Sequence, residues 1–192
     1  MTKDSRASMV RSAASLIRTR GVNATSLSDV LADSGAPRGS IYHHFPNGKE
    51  QLAEDAIRWT SERVIARQRS CAATTPSGVL SCFIDMWRQT VLASGGAAGC
   101  VVAGVAIDTA AGARGLIDVV RATFRSWVDL LAEQLEAVGV PADRASHLAL
   151  ATLAGMEGAL ILCRAEGDTG PLEVVAGELL RSLPPEAPAT GQ

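Results

Sequence analysis

Two short stretches near the start of the chain, joined by a glycine, constrain the fold more than any other feature. The first covers residues 25–34 and begins with two hydroxyl side chains, Thr25 and Ser26, that can cap a helix. Its apolar residues recur at the i, i+3, i+4 spacing of a helix with one buried face, at Leu27, Val30 and Leu31. Gly35 can take the left-handed conformation that ends such a helix.

A second short helix is predicted after this turn, in the sequence GAPRGSIYHHF of residues 35–45. Pro37 suits a first helical position, because the N–H that it lacks would have no partner there. Ile41 and Phe45 are four residues apart, so they share one face and can anchor the helix to a small core. A helix, a glycine-containing turn and a second helix form the helix-turn-helix pattern.

The other face of the second helix carries polar groups and no carboxylate, which suits the edge of a DNA groove. Arginine pairs with guanine, and glycine permits close approach to the sugar-phosphate backbone. We predict base contacts from Arg38 and His43, with Gly39 allowing the approach. Phosphate contacts are predicted for six further residues: Thr25, Ser26, Ser40, Tyr42, His44 and Lys49. The alternative is that these side chains only decorate an ordinary surface helix.

The same residues resemble a known family. The region from Thr25 through YHHF (residues 42–45), followed by KEQL (residues 49–52), is similar to the DNA-binding domain of TetR-type repressors. The strings PRGSIYHHFP (37–46) and GKEQL (48–52) resemble the LmrA/YxaF-like subgroup, and GCVVAGVAI (99–107) resembles its C-terminal domain. The resemblance implies a homodimer with a three-helix DNA-binding domain and a larger helical domain that holds an inducer. It also supports Thr25, Tyr42 and Lys49 as phosphate contacts.

The charge of the chain is unevenly distributed. Residues 1–70 hold eleven Lys and Arg against seven Asp and Glu, whereas residues 71–192 hold seven against thirteen. A basic first third on an acidic remainder indicates that only the first part meets a polyanion.

Helical periodicity continues along the chain and predicts an all-α fold. We expect a helix-turn-helix DNA-binding domain at 1–47 and a ligand-binding and dimerisation domain at 48–183, connected by a shared helix at 48–69. Apolar stripes and the breaks at Pro76, Pro141 and Pro171 predict four later helices. One carries the stripe Leu80, Phe83, Ile84, Trp87 and Val91, one carries the stripe of residues 117–135, and two begin at Pro141 and at Pro171. The Pro- and Ala-rich tail, residues 184–192, is predicted to be disordered.

Two residue sets in the second domain are assigned on their helical stripes. An apolar pocket for a lipophilic or aromatic ligand is predicted from Phe83, Met86, Trp87, Phe124, Trp127, Leu131 and Met156. A face of small residues and leucines predicts a four-helix dimer seam, formed by Gly155, Ala159, Leu162, Val175 and Leu179. Both stripes could instead fill the core of one chain.

The four cysteines and the uncharged segments exclude several classes of protein. Cys71, Cys82, Cys100 and Cys163 contain no C-x-x-C pair, so we predict no zinc site, no disulfide framework and buried thiols in a reducing cytosol. The N-terminus lacks the apolar core of a signal peptide, and the uncharged residues 89–107 are too rich in Ser, Gly and Ala for a membrane span. We expect a cytoplasmic protein without membrane contact.

These observations favour a ligand-responsive transcriptional repressor that binds double-stranded operator DNA and a small-molecule inducer as a homodimer. Two alternatives stay open: a helical-bundle enzyme or carrier, and a helix-turn-helix dimer without an effector. The second domain has one histidine, His147, no tyrosine and no Ser/His/Asp constellation, so we predict no enzyme. No cofactor is predicted, and His43–His44 is a poor metal site because adjacent helical residues point about 100° apart.

Overall fold

A computed structural model describes residues 3–109 and 114–183, and within these residues the chain forms nine α-helices and no strand. The predicted all-α fold is confirmed. In chain order the helices are α1 (Lys3–Arg20), α2 (Leu27–Ser34), α3 (Ser40–His44), α4 (Gly48–Arg69), α5 (Pro76–Ser94), α6 (Val101–Asp108), α7 (Arg114–Ala137), α8 (Ala142–Glu166) and α9 (Gly170–Arg181).

The helices form two compact units that alternate along the sequence. The first contains the chain up to Val64 together with Ala98–Arg125, and the second contains Ile65–Ala97 together with the chain from Ser126 onward. Helices α4 and α7 therefore each contribute to both units. The domain boundaries predicted from the sequence, 1–47 and 48–183, stay a prediction, and the predicted disordered tail lies outside the described residues.

In the first unit, α1 packs on the helix-turn-helix and on α6. Ser12 of α1 donates a hydrogen bond to the carboxylate of Asp33 in α2 at 2.6 Å. Arg6 of α1 forms an ion pair with Asp55 of α4 at 2.5 Å, and its guanidinium lies 5.4 Å from the centre of the Phe45 ring. These contacts hold α1, α2 and α4 around a common apolar core.

In the second unit, aromatic rings from α5 and α7 form the centre of the core. Trp87 meets Phe83 and Trp127 edge to face, with ring centroids 6.1 and 6.0 Å apart. Five residues of the α5 stripe are almost fully buried, as its spacing predicts: Leu80, Phe83, Ile84, Trp87 and Val91. Helices α8 and α9 approach closely at Gly155, since the absence of a side chain leaves room for Val175. A methyl group at Gly155 would lie 3.1 Å from Val175 Cγ1.

The prediction that all four cysteines are thiols is wrong for two of them. Cys71 and Cys82 form a disulfide that links the end of α4 to α5, with Cα atoms 6.1 Å apart. The segment between the two helices, residues 70–75, brings the two cysteines together, and no local sequence motif predicts this contact. Cys100 and Cys163 are buried, as expected.

Helix α8 is long and apolar enough, by length and composition, to cross a membrane. Much of it is nevertheless buried in the second unit, at residues such as Leu148, Thr152, Met156 and Leu160. The core helix of a soluble protein satisfies the same criterion, so the helix is weak evidence for a membrane span.

Candidate nucleic-acid interface

The first helix of the motif, α2, is closed at both ends by its own residues. The Ser26 hydroxyl accepts a hydrogen bond from the backbone N–H of Asp29, whose carboxylate accepts one from the backbone N–H of Ser26. This capping box satisfies N–H groups that a helix N-terminus leaves unpaired. Gly35 ends the helix in the left-handed conformation at φ 66°, as the sequence predicts.

The second helix of the motif, α3, begins later than the sequence predicts. Pro37 lies in a turn, where its carbonyl accepts the backbone N–H of Ser40 at 2.9 Å, and the helix starts at Ser40. The predicted anchors are confirmed, because Ile41 is 1% exposed and Phe45 is fully buried. The position of α3 is therefore fixed from its inner side.

Four of the predicted DNA-contacting residues lie together on the outer side of α3 and the turn before it. Arg38, Gly39, Tyr42 and His43 are all exposed, and Tyr42 retains 69% of its accessible surface. Tyrosine is common at interaction surfaces, because its ring offers apolar area and its hydroxyl offers a hydrogen bond. This group, named the α3 face below, offers a cation, a bare backbone, a phenol and an imidazole.

Three other predicted contacts are oriented differently. Ser40 is fully buried and its hydroxyl donates to the Pro37 carbonyl, and Thr25 is 4% exposed with its hydroxyl donating to the Gly21 carbonyl at 2.8 Å. Burial keeps both hydroxyls away from the surface, and their contacts with phosphate stay a prediction. His44 is half-buried, and its Nε2 atom is enclosed with no hydrogen-bond partner among the described residues.

Ser26 is exposed, but its hydroxyl is already bonded to the Asp29 carboxylate at 2.6 Å. The hydrogen bonds from Ser26 lower the pKa of Asp29 below its ordinary value, so this carboxylate is ionised at neutral pH. A negative charge at the N-terminus of α2 stabilises the helix but opposes a phosphate at the same place.

Lys49 lies near the N-terminus of α2, where the sequence predicts a phosphate contact. Its ammonium donates to the backbone carbonyl of Asn23 at 3.0 Å. Asn23 is in turn held by α6, because its backbone N–H and side-chain amide donate to the carboxylate and carbonyl of Asp108. Neither Asn23 nor Asp108 was predicted from the sequence, because no short-range spacing connects them.

Five of the seven predicted ligand-binding residues are buried in the second unit. Phe83, Trp87, Trp127, Leu131 and Met156 are each at most 5% exposed. Met86 is half-buried on α5, and Phe124 belongs to the first unit. The assignment of these residues to a ligand site stays a prediction.

The predicted dimer seam is divided by the structure. Ala159 is 1% exposed, and Gly155 packs against Val175 and Leu179 of α9 in the same chain. The assignment of these four residues to a dimer seam stays a prediction. Leu162, by contrast, is 50% exposed. Other large apolar side chains exposed on the same two helices are Leu150, Ile161 and Val174. We call Leu150, Ile161, Leu162 and Val174 the α8–α9 face.

The residues that the structure describes contain no cluster of three His, Cys, Asp or Glu side chains that could hold a metal ion. The motif instead combines two short helices, a turn set by Gly35 and a solvent-facing cation and phenol. This combination defines a helix-turn-helix DNA-binding protein.

Two family models match the chain. Residues 10–56 match the model of bacterial regulatory proteins of the tetR family, and residues 76–178 match the C-terminal domain model of LmrA/YxaF-like transcriptional regulators. The chain belongs to the TetR family of DNA-binding transcriptional regulators, in its LmrA/YxaF-like group. The family resemblance noted in the sequence is thereby confirmed.

Two relatives named as HTH-type transcriptional regulators match most of the chain. The uncharacterized HTH-type transcriptional regulator Rv0196 of Mycobacterium tuberculosis is 40% identical over 185 residues, covering 94% of each chain. The HTH-type transcriptional regulator LmrA of Bacillus subtilis is 28% identical over 171 residues, covering 88% of this chain and 91% of LmrA.

Solved structures share the fold. A TetR transcriptional regulator from Chloroflexus aurantiacus superposes with a TM-score of 0.76 at 30% identity, covering 93% of both chains. The TetR family regulator CifR, in a cysteine mutant complexed with a 26 bp double-strand operator DNA, superposes with a TM-score of 0.76 at 19% identity, covering 93% of this chain and 96% of CifR.

Proposed function

We propose that this TetR-family regulator is a cytoplasmic, homodimeric repressor that binds operator DNA through the α3 face and is released by a small apolar ligand. The observation that carries the proposal is the α3 face itself. Its exposed Arg38, Tyr42 and His43 stand over the buried anchors Ile41 and Phe45, so the reading groups project from a fixed helix. The CifR operator complex supports DNA as the partner, because that protein has the same fold.

A homodimer is proposed because one recognition helix reads too few base pairs to select an operator. A two-fold dimer presents two such helices to two half-sites. The α8–α9 face supplies the surface, since its four large apolar side chains are each at least half exposed on two helices that pack on each other, and exposed apolar surface marks interaction sites. We therefore propose that the dimer seam contains Leu150, Ile161, Leu162 and Val174. Of these residues, Leu162 was also in the seam predicted from the sequence.

The ligand is proposed to enter the aromatic core of the second unit. Two buried polar atoms there, Trp87 Nε1 and Thr152 Oγ1, have no hydrogen-bond partner among the described residues. A buried polar group without a partner costs free energy, and an acceptor atom on a ligand would relieve that cost at Trp87. We therefore propose a flat, apolar inducer with a carbonyl or similar acceptor. Because the aromatic rings are in contact, binding must rearrange them, which can shift the population of DNA-binding states.

A second candidate is a helix-turn-helix dimer without an effector, which is supported by the close packing of the aromatic residues in their core. Release of DNA on ligand binding distinguishes the repressor from this candidate. An enzyme is not proposed, since the matched families and relatives are transcriptional regulators.

The experiment begins with selection of bound sequences from a random duplex library, followed by anisotropy titrations on the selected and a scrambled duplex. We expect a preference of at least about a thousandfold for the selected duplex. A panel of flat aromatic ketones is then screened by tryptophan quenching, with Trp87→Phe as the variant that lacks the indole N–H. Quenching that coincides with DNA release supports the repressor. Equal binding of both duplexes contradicts the repressor proposal. Quenching without DNA release shows that the ligand binds but does not control DNA binding.

A further inference from the structure

The disulfide between Cys71 and Cys82 stands apart from the DNA-binding machinery. Cys71 follows the last residue of α4, Arg69, by two positions, and Cys82 lies in the second turn of α5. Both residues are half-buried, so small molecules in solvent can reach them. Cys100 and Cys163 are 7% and 0% exposed.

A structural disulfide is unexpected in such a protein. A chain of 192 residues buries a core large enough to fold without a covalent cross-link. The proposed location is the cytoplasm, where thiols are kept reduced and disulfides are mostly transient and redox-sensing. An accessible pair that nevertheless bonds in the folded chain therefore indicates use of the bond as a signal.

We propose that Cys71 and Cys82 form a redox-sensing pair whose oxidation state sets how firmly the C-terminal end of α4 is held. This inference rests on the proposed function only for its effect on DNA. The oxidant is hydrogen peroxide. One thiolate attacks its distal oxygen, the O–O bond breaks, and a sulfenic acid and water form. The second thiolate then attacks that sulfur, the S–S bond forms, and a second water leaves. Two thiols and one hydrogen peroxide thus give one disulfide and two waters. A cellular dithiol reverses the step by exchange.

The end of α4 is held at two places in the second unit. Gln68 is 2% exposed, its side-chain amide donates to Gln134 of α7 at 2.6 Å, and the Gln134 amide donates to the Gln68 carbonyl at 3.0 Å. The disulfide is the second attachment, to α5. Reduction removes the covalent attachment and leaves the neutral hydrogen-bonded one.

The other end of the same helix carries Lys49, which lies at the candidate DNA interface. Since α4 is one uninterrupted helix from Gly48 to Arg69, a change in its restraint at Cys71 alters an element that presents a DNA contact. This is the physical reason to expect a change in operator affinity.

The remaining cysteines are poor competitors for the oxidant. Burial raises the pKa of the Cys163 thiol, which lowers its reactive thiolate fraction. Oxidation should therefore occur first at the half-buried pair.

The chemical test uses the full-length protein, reduced with dithiothreitol and reoxidised with stoichiometric hydrogen peroxide. Alkylation after unfolding should label four thiols in the reduced protein and two in the oxidised protein. Equilibration in glutathione buffers of cytosolic composition should leave both forms populated. A disulfide that stays fully oxidised in these buffers would be a structural bond. A disulfide that never forms would show that Cys71 and Cys82 are not a redox pair. Either outcome overturns the inference.

The functional test measures binding of the selected duplex by both redox forms. We expect the dissociation constants to differ by about fivefold or more, the lower range for allosteric coupling. Cys71→Ser and Cys82→Ser should abolish the difference, whereas Cys163→Ala should keep it. Should the serine variants fail to fold, reduced wild type blocked with N-ethylmaleimide replaces them.

Hydrogen exchange separates failure of this inference from failure of the proposed function. Amides at the end of α4 and directly after it, residues 66–71, should exchange faster after reduction, while the middle of α8 should not change. Reversible chemistry with equal operator affinity and equal exchange in both forms overturns the inference and leaves the repressor proposal intact. Loss of operator preference in both forms contradicts the repressor, and faster exchange at residues 66–71 would still support the redox pair.

Discussion

Asp108 holds Asn23 by two hydrogen bonds across 85 residues of sequence. The Asn23 backbone N–H donates to the Asp108 carboxylate at 3.2 Å, and the Asn23 side-chain amide donates to the Asp108 carbonyl at 2.9 Å. The backbone carbonyl of Asn23 also accepts a hydrogen bond from the Lys49 ammonium. The end of α6 therefore fixes the loop that precedes the helix-turn-helix, and this loop holds Lys49.

Replacement of the Asp108 carboxylate should destabilise the folded protein modestly. We expect Asp108→Ala to lower the free energy of unfolding by about 1 kcal/mol, because one exposed backbone N–H loses its partner to water. Asp108→Asn keeps an oxygen acceptor and should cost less. Urea unfolding of the three proteins checks the order. An Asp108→Asn variant as unstable as Asp108→Ala would assign the effect to charge instead.

A side chain at Gly21, between α1 and α2, should destabilise the folded protein. Its φ is +83°, and a methyl group there would collide with the Asp108 carboxylate. Gly139 is a matched control, because its φ is +94° and no atom lies within 4 Å of the added methyl. Both alanine variants should lose about 1–2 kcal/mol to backbone strain, and Gly21→Ala should lose about 1 kcal/mol more through the displaced hydrogen bond. In an Asp108→Ala background that excess should disappear. Equal losses for both glycines in the wild-type background would show that the carboxylate moves at no cost.

Arg38 and Lys49 should affect DNA binding in different ways. Arg38→Ala should cost about 1–3 kcal/mol on the selected duplex and relax its selectivity at one base pair, if the guanidinium pairs with guanine. Lys49→Ala should weaken binding to all duplexes and reduce the slope of log K against log salt by about 1. Titrations at several salt concentrations distinguish the two, and equal losses on selected and scrambled duplexes for Arg38→Ala would assign it to phosphate.

The α8–α9 face can be tested by placing a charge on it. Leu162→Glu should give a folded monomer, because the side chain is 50% exposed in one chain but would be buried in the dimer. Leu92→Glu, at 57% exposure on α5, is the control and should remain dimeric. Ala159→Glu should instead unfold the chain, because it buries a charge. Sedimentation and circular dichroism give both readouts. A dimeric Leu162→Glu would place the seam elsewhere.

The ion pair between Arg88 and Glu173 should contribute to stability only above acidic pH. Hydrogen bonds from Arg88 lower the pKa of Glu173 below its ordinary value. A carboxylate with a depressed folded-state pKa stabilises the fold above its unfolded pKa of about 4.3, and this contribution is lost as the pH falls through the folded value. Because the pair is largely exposed, Glu173→Gln should cost at most about 1 kcal/mol at pH 7. Unfolding measured from pH 7 to pH 3 should show the two proteins converge. A constant difference would indicate packing rather than charge.

The features that could be predicted are those that depend on residues close together in the sequence. Helix α4 has the predicted limits, Gly48 and Arg69, and the α5 stripe is buried as its spacing indicates. Helix α6 was not predicted, because Val101–Asp108 is apolar nearly all round and follows several glycines, so it shows no helical period.

The candidate site was predicted less completely. The exposed residues of the α3 face followed from helical spacing, but the inward orientation of Thr25 and Ser40 did not, because small hydroxyl side chains serve equally in caps, in turns and at surfaces. Asn23–Asp108 and Cys71–Cys82 are contacts set by the tertiary fold, and no sequence period encodes them.

The capping box of Ser26 and Asp29 has a consequence for kinetics. Because these side chains close the first turn of α2 from within, the helix is formed before DNA arrives, and no ordering entropy is spent at encounter. We expect the association rate constant to be set by diffusion and orientation. Differences between operators should then appear almost entirely as differences in residence time.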